Sequence, residues 1–251
     1  MKLNKNIIDY VQGERFSDSF NFSIEKDINI PGRMEYVEKI VQGKKVLHIG
    51  CLDNLPLIER KIEEGSWFHE RLTNVASECI GIDIDQKGID YVSSKLGISN
   101  IYYGNLDKDG KIDTISSQHW DYVIFGEMIE HLDNPVSFLQ QFIDYYQNSF
   151  EQIIITVPNC YKLENIWGML QNTETINSDH RYWFSPYTLC KVVYQAGLNV
   201  AQLQMCKYIV LDELREKLKD IFRNKYPIMA DTIVVICHKQ SSLVEKSNYQ
   251  Y

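Results

Sequence analysis

No stretch of this sequence approaches the roughly 18 consecutive apolar residues of a membrane span. The opening residues, Met1-Lys2-Leu3-Asn4-Lys5-Asn6, contain no continuous apolar signal region either. Together these absences predict a soluble, cytoplasmic protein with no membrane span. The six cysteines (51, 79, 160, 190, 206 and 237) form no Cys-x-x-Cys pair, which argues against a structural zinc. Several sit inside apolar runs, where a free thiol behaves as a small core residue in a reducing compartment. There is no long basic run, and 26 Lys+Arg against 34 Asp+Glu leave a formal charge of -8. A polyanion would meet little long-range attraction, so no nucleic-acid partner is expected. Repeats and low-complexity segments are missing as well.

What is present is a regular alternation of short apolar runs and helical periods. The 251 residues suffice for one sizeable α/β domain. Lys44-Lys45-Val46-Leu47-His48-Ile49-Gly50-Cys51 and, about thirty residues on, Cys79-Ile80-Gly81-Ile82-Asp83-Ile84-Asp85 each stop at a small or acidic residue. That is the pattern of buried parallel strands delivering loops at their carboxyl ends. Gly50 lets backbone approach a ligand, and Asp83 at a strand tip can accept from both hydroxyls of a ribose. Helical spacing over residues 33–42 follows Pro31-Gly32. Strands are expected at 45–49, 79–84, 100–103, 121–125 and 151–157, with a helix over 136–146. A helix ending near Gln195, a strand near 198–206, a charged helix near 211–223 and a strand from Thr232 to Ile236 complete the pattern. This predicts an amino-terminal cap over residues 1–42, a doubly wound α/β domain over 43–240 with an antiparallel finish at the sheet edge, and a flexible tail over 241–251.

Six motifs in order carry a family resemblance. They are Val46-Leu47-His48-Ile49-Gly50-Cys51, Gly81-Ile82-Asp83, Tyr103-Gly104-Asn105, the stretch from Asp121 to Leu132 containing Glu127-Met128-Ile129-Glu130-His131, Ile155-Thr156-Val157-Pro158-Asn159, and His180-Arg181-Tyr182-Trp183-Phe184-Ser185. Over roughly residues 33–240 the chain resembles class I S-adenosylmethionine-dependent methyltransferases. Within them it is similar to the Glu-x-x-Glu-His-Leu group, which includes ubiquinone-pathway O-methyltransferases and bacterial glycan-modifying enzymes. The resemblance implies a Rossmann-like seven-stranded sheet, mostly parallel with an antiparallel last strand. It also implies S-adenosylmethionine as cofactor. Gly50, with His48 and Cys51 beside it, would meet the methionine moiety, Asp83 the ribose and Ile84 the adenine. Asn105 and Leu106 would border the adenine, and Phe125-Gly126 would floor the sulfonium.

The departures from the family pattern are specific. Where the family runs Asp-x-Gly-x-Gly-x-Gly, only Gly50 remains; His48 takes the acidic position, and Leu52, Asp53 and Asn54 replace small residues. Asp53 or Asn54 is therefore expected to hydrogen-bond the cofactor's amino group. About ten extra residues before Asp83 contain Trp67-Phe68-His69, read as an enlarged helix that either lies over the site or packs as core.

Glu127, Glu130 and His131 at i, i+3 and i+4 would share a helical face. With His180 as a later ligand, as the resemblance suggests, they make a candidate site for Mg²⁺, Mn²⁺ or Zn²⁺. In the alternative, His131 and His180 are general-base candidates, with Glu127 lining the pocket. Asp179 orients His180 or begins a turn, and Tyr161, Tyr182, Trp183 and Phe184 stack on a ring or fill the core. The expected activity is methyl transfer to an oxygen of a small-molecule or sugar-containing acceptor such as a glycan precursor. N- or RNA methylation and a non-catalytic S-adenosylmethionine-binding protein are the alternatives. A nicotinamide-dependent oxidoreductase would want Gly-x-Gly-x-x-Gly where this chain has Gly-Cys-Leu-Asp-Asn-Leu.

Overall fold

The computed structural model describes residues 1–26, 29–208 and 214–240. Seven strands, β1 (Lys45–Ile49), β2 (Glu78–Asp83), β3 (Ile101–Tyr103), β4 (Trp120–Gly126), β5 (Phe150–Pro158), β6 (Leu198–Cys206) and β7 (Thr232–Lys239), form one sheet in the order β3-β2-β1-β4-β5-β7-β6. Strands β1 to β5 are parallel, and β7 runs antiparallel to both β5 and β6. The central strands are near-continuous apolar runs because helices cover both faces. Alternate side chains feed two cores. Leu47, Ile49, Val123, Phe125, Ile153 and Ile155 enter one, while Val46, Ile124, Ile154 and Val234 enter the other.

Ten helices flank the sheet among the described residues. The first core is closed by α1 (Lys5–Gln12), α7 (Pro135–Tyr146) and α9 (Pro186–Gln195), and the second by α2 (Arg33–Val41) and α4 (Phe68–Val75). A third, smaller cluster of Ile58, Trp67, Val92 and Ile101 sits under α3 (Leu55–Glu63) and α5 (Gln86–Leu96). The remaining helices are α6 (Asp113–Ser116), α8 (Leu163–Leu170) and α10 (Leu214–Lys225). Local chemistry sets several boundaries. Asn134 caps α7 by accepting from the Ser137 amide, and Ser185 with Thr188 forms a capping box on α9, each followed by Pro at the first helical position.

The expected strand ends shift by one residue in β2 to β5. Two differences are larger. The enlarged helix is two helices, α3 and α4, with Trp67, Phe68 and His69 all buried as core. The last strand is not at the edge: β7 inserts between β5 and β6, so its apolar run Ile233–Cys237 is buried on both faces. The tail expected from 241 lies outside the described residues. Among the described residues no helix is long and apolar enough to cross a membrane.

Sheet order reverses between β1, which leads outward through β2 and β3, and β4, which leads the other way. At such a switch point the loops from the two central strands diverge and leave a crevice at their carboxyl ends.

Candidate active site

That crevice is a cleft of about 540 Å³ lined by residues after β1, β2, β3 and β4, among them Gly50, Asp83, Ile84, Asn105, Leu106, Met128 and His131. Gly50 has φ +67°, and a Cβ there would stand 2.8 Å from Cγ of Met128. Both its conformation and its packing therefore demand glycine. Asp83 reaches across to the β1 loop: its Oδ2 accepts from the Leu52 amide at 2.9 Å, and its Oδ1 from the Asp85 amide at 3.0 Å. Burial pushes its pKa up, and these amide donors hold it down. Ile84, by contrast, is 66% exposed at the cleft mouth. An apolar side chain left open beside a carboxylate acceptor matches the face of a base and the donating hydroxyls of a ribose. Asn105 lines the cleft while its side-chain oxygen accepts from the Asp107 amide at 3.1 Å, fixing a turn.

The other residues expected around the cofactor lie elsewhere. His48 is buried, with Nδ1 3.3 Å from Nδ1 of His69, and burial drives both pKa values down, that of His69 to about 4. Cys51 is buried against Gly81 while its carbonyl accepts from Trp67 Nε1, and burial raises its thiol pKa. Asp53 is paired with Lys61 at 2.6 Å, and Asn54 is an exposed residue preceding α3. Phe125 packs edge-on against Phe138 and Phe142 in the first core, and Gly126 abuts His48 and Phe68. None of these six lines the cleft. Apart from the exposed Asn54, each has a partner of its own instead: a second imidazole, a buried core neighbour, a lysine or a core ring.

The expected helical face after β4 does not form. Glu127 has φ +53°, and the turn that follows, Ile129–His131, is 3₁₀. Glu127 is held by Arg33 (3.8 Å) and Thr232 (3.4 Å). A different set converges instead: Glu130, His131 and His180 each offer a ligand atom within 4.8 Å of the others. The 180–181 backbone is brought there by the Arg181 amide, which donates to Glu130 O at 2.8 Å. The Arg181 guanidinium then donates to Asp133 Oδ1 and His131 O, both at 2.5 Å. Glu130 is fully buried with neither carboxylate oxygen hydrogen-bonded, and Nδ1 of His180 is likewise unpartnered. Burial, with Glu127 adding to it, pushes the Glu130 pKa up to about 8; burial and His131 lower that of His180. A donor-free buried carboxylate between two imidazoles is a mixed oxygen and nitrogen set that fits a divalent cation.

A second cleft, of about 330 Å³, is lined by Glu127, Pro158, Lys162, Tyr208, Lys219 and Thr232, among others. Of the trio, His131 lines the first cleft, and the charge of Lys162, which lines the second, adds to the lowering of the His180 pKa. Sequence reasoning missed Arg33. It is buried at the start of α2, its guanidinium between the rings of Phe68 (4.7 Å) and Tyr208 (5.2 Å), where it holds Glu127. No local signal marks it, because its partners are 35, 94 and 175 residues away in sequence (Phe68, Glu127 and Tyr208). Arg181 belongs to the His180–Ser185 motif, but its pairing with Asp133, 48 residues away, has no local signal. Of the aromatics, Phe184 is core, Tyr182 donates to Asp133 O at 2.8 Å, Trp183 to Glu174 at 2.7 Å, and Tyr161 is exposed.

A family model described as a methyltransferase domain matches residues 28–203. Among curated proteins, none matches the chain. Solved structures share the fold at low identity. A chain of the complex between the Haloferax volcanii Trm112 methyltransferase activator and the putative methyltransferase has 12% identity and a TM-score of 0.51, covering 84% of this chain and 90% of that one. A putative methyltransferase from Bacillus halodurans C-125 has 14% identity and a TM-score of 0.50, covering 83% and 99%. The small RNA methyltransferase HEN1 has 15% identity and a TM-score of 0.53; the match covers 90% of this chain but 28% of that one.

Proposed function

Because this chain belongs to the methyltransferase-domain family, we propose that it binds S-adenosylmethionine in the Asp83 cleft and methylates an oxygen of a small-molecule or sugar-containing acceptor. The observation that carries the cofactor reading is the triple of Gly50, Asp83 and exposed Ile84 at the switch point. Bound there, the sulfonium supplies an already activated methyl group. What remains for the protein is to align the acceptor, exclude water and take a proton. Asp83 would hold the ribose and Ile84 the adenine face, while Gly50 allows close approach of the β1 loop. The second cleft is the proposed acceptor site, with Glu127 held by Arg33 as its fixed polar contact. In this reading His131, which lines the first cleft, and His180, whose ring lies 4.6 Å from it, would receive the acceptor proton.

A second reading of the same trio is that Glu130, His131 and His180 hold a divalent cation. It is favoured by the two unpartnered Glu130 oxygens. A cation there would supply Lewis-acid polarisation of the acceptor oxygen. An RNA acceptor is disfavoured by the net charge of -8.

Calorimetry with S-adenosylhomocysteine, S-adenosylmethionine and NAD tests the cofactor, and transfer of labelled methyl to hydroxylated sugar nucleotides, phenols and RNA tests the acceptor class. Binding of NAD alone overturns the reading, and transfer to RNA alone overturns the acceptor. Elemental analysis and activity in excess EDTA decide between cation and general base.

A further inference from the structure

The residues expected to hold the amino-acid end of the cofactor do not line the cleft: Asp53 is paired with Lys61, and Asn54 is exposed ahead of α3. S-adenosylmethionine nevertheless ends in a zwitterion, an α-carboxylate beside an α-ammonium, and a charged end held without partners is unfavourable. Besides Asp83 and His131, the charged residues lining the cleft are four. Asp107 and Lys108 follow β3, while Asp133 and Arg181 stand with Met128 and His131 beyond β4.

Sheet order distinguishes the two sides. With the ribose on Asp83 and the adenine on Ile84 at the tip of β2, Asn105 and Leu106 after β3 border the base. The order β3-β2-β1-β4 then leaves the direction over β1 and β4 for the rest of the molecule. It passes Gly50 and arrives at the turn after β4, two strand spacings, about 10 Å, from β2. Arg181 and Asp133 are the oppositely charged residues on that side.

Their remaining hydrogen-bonding capacity has the right signs. Arg181 donates through Nε to Asp133 and through Nη1 to the carbonyls of His131 and Asp179, whereas Nη2 donates to none of the described residues. Asp133 accepts from Arg181 at Oδ1; Oδ2 has no partner among the described residues, and the side chain is 90% exposed. An ion pair so exposed adds little to stability. It presents to the cleft a guanidinium with donors to give beside a carboxylate oxygen able to accept from an ammonium, the complement of an amino-acid zwitterion.

We propose that the Arg181–Asp133 pair binds the amino-acid end of the cofactor, Arg181 taking the α-carboxylate and Asp133 the α-ammonium. The proposal rests on the cofactor reading above. It moves this recognition from the loop after β1 to the turn after β4 and the loop that bears His180.

The test is calorimetry of the full chain with S-adenosylhomocysteine and with methylthioadenosine, which keeps the adenine, ribose and thioether and lacks the amino-acid end. Wild type should bind S-adenosylhomocysteine at least about tenfold more tightly. Arg181→Met and Asp133→Asn should each weaken S-adenosylhomocysteine by at least about fivefold and leave methylthioadenosine within about twofold. Lys108→Met, on the β3 side, should leave the ratio of the two affinities as in wild type. Retained methylthioadenosine binding shows each variant folded, and Asp133→Asn, which keeps an acceptor for Arg181, decides the matter if Arg181→Met disturbs the loop. Equal affinity of wild type for the two compounds overturns the proposal. So does an Asp133→Asn variant that loses neither compound or both alike, which would make the pair a tether of the 180–182 loop, or a ratio that collapses in Lys108→Met instead. In those cases the cofactor reading stands. Wild type that binds neither compound removes that reading, and this proposal with it.

Discussion

The carboxylate of Asp83 at the end of β2 accepts a hydrogen bond from the Leu52 amide at 2.9 Å, tying the loop after β1 to the tip of the neighbouring strand. One oxygen thus shapes the cleft while the group as a whole stays within it, so cofactor binding and loop geometry depend on the same side chain.

Asp83→Ala should abolish most of the melting-temperature rise that S-adenosylhomocysteine produces, weakening binding by about 1.5–3 kcal/mol, the scale of hydrogen bonds to a charged group. Asp83→Asn, which keeps one acceptor for Leu52, should retain the unliganded melting temperature better than Ala. Thermal shift and calorimetry on the two variants check this; tight binding by the Ala variant would remove the ribose assignment.

Gly50→Ala places a Cβ at positive φ and against Met128. A loss of about 1–3 kcal/mol is expected, with weaker S-adenosylhomocysteine binding. Adding Met128→Ala should relieve the contact and leave the conformational part. A single variant as stable as the parent in chemical denaturation would contradict this account.

His180→Ala is expected to leave S-adenosylhomocysteine affinity within about threefold, because His180 lies outside the cofactor cleft, and to lower kcat by roughly 10²-fold or more. Steady-state kinetics with the true acceptor, beside calorimetry, give both numbers. Unchanged turnover would make the 180–184 loop structural.

The buried His48–His69 pair predicts an acid limit to stability. Burial depresses the His69 pKa to about 4 and that of His48 well below its ordinary value, while both would titrate near 6.5 in the unfolded chain. The unfolded state therefore binds more protons as pH falls below about 6.5, and stability declines with falling pH through the folded values, by up to about 1.4 kcal/mol per pH unit for each histidine. Above that window the contribution is fully present. Urea unfolding from pH 7.5 to 4.5 should show the slope, and His69→Gln should flatten it; an equally steep variant would assign the slope to other groups.

Much of the scaffold was legible along the chain. The central strands announce themselves as apolar runs, and the cleft-lining Gly50 and Asp83 sit at the ends of β1 and β2, where a strand passes into its loop. The antiparallel finish was legible too, since the helix between the last two strands is short and is followed by Pro227, which allows the chain to turn back beside the sheet. Its place was not. Insertion of β7 beside β5 depends on pairing between residues some 80 apart, such as Ile155 with Val235.

Spacing alone placed Glu127, Glu130 and His131 on one helical face, and the backbone overruled it: a left-handed residue at 127 sends the first carboxylate to Arg33 and the second cleft. Likewise Cys51 follows the lining Gly50 but is buried against Gly81, Phe125 joins the first core beside Phe138 and Phe142, and Asp53 goes to Lys61, each drawn off by a tertiary partner. Local periodicity, and what a single residue can do, were enough for the succession of strands along the chain, the doubly wound class and the glycine and carboxylate at the ends of β1 and β2. Only the tertiary structure decided which polar groups meet. Glu130 and His180 are fifty residues apart, and their approach exists because the Arg181 amide finds the Glu130 carbonyl, a contact no local pattern encodes.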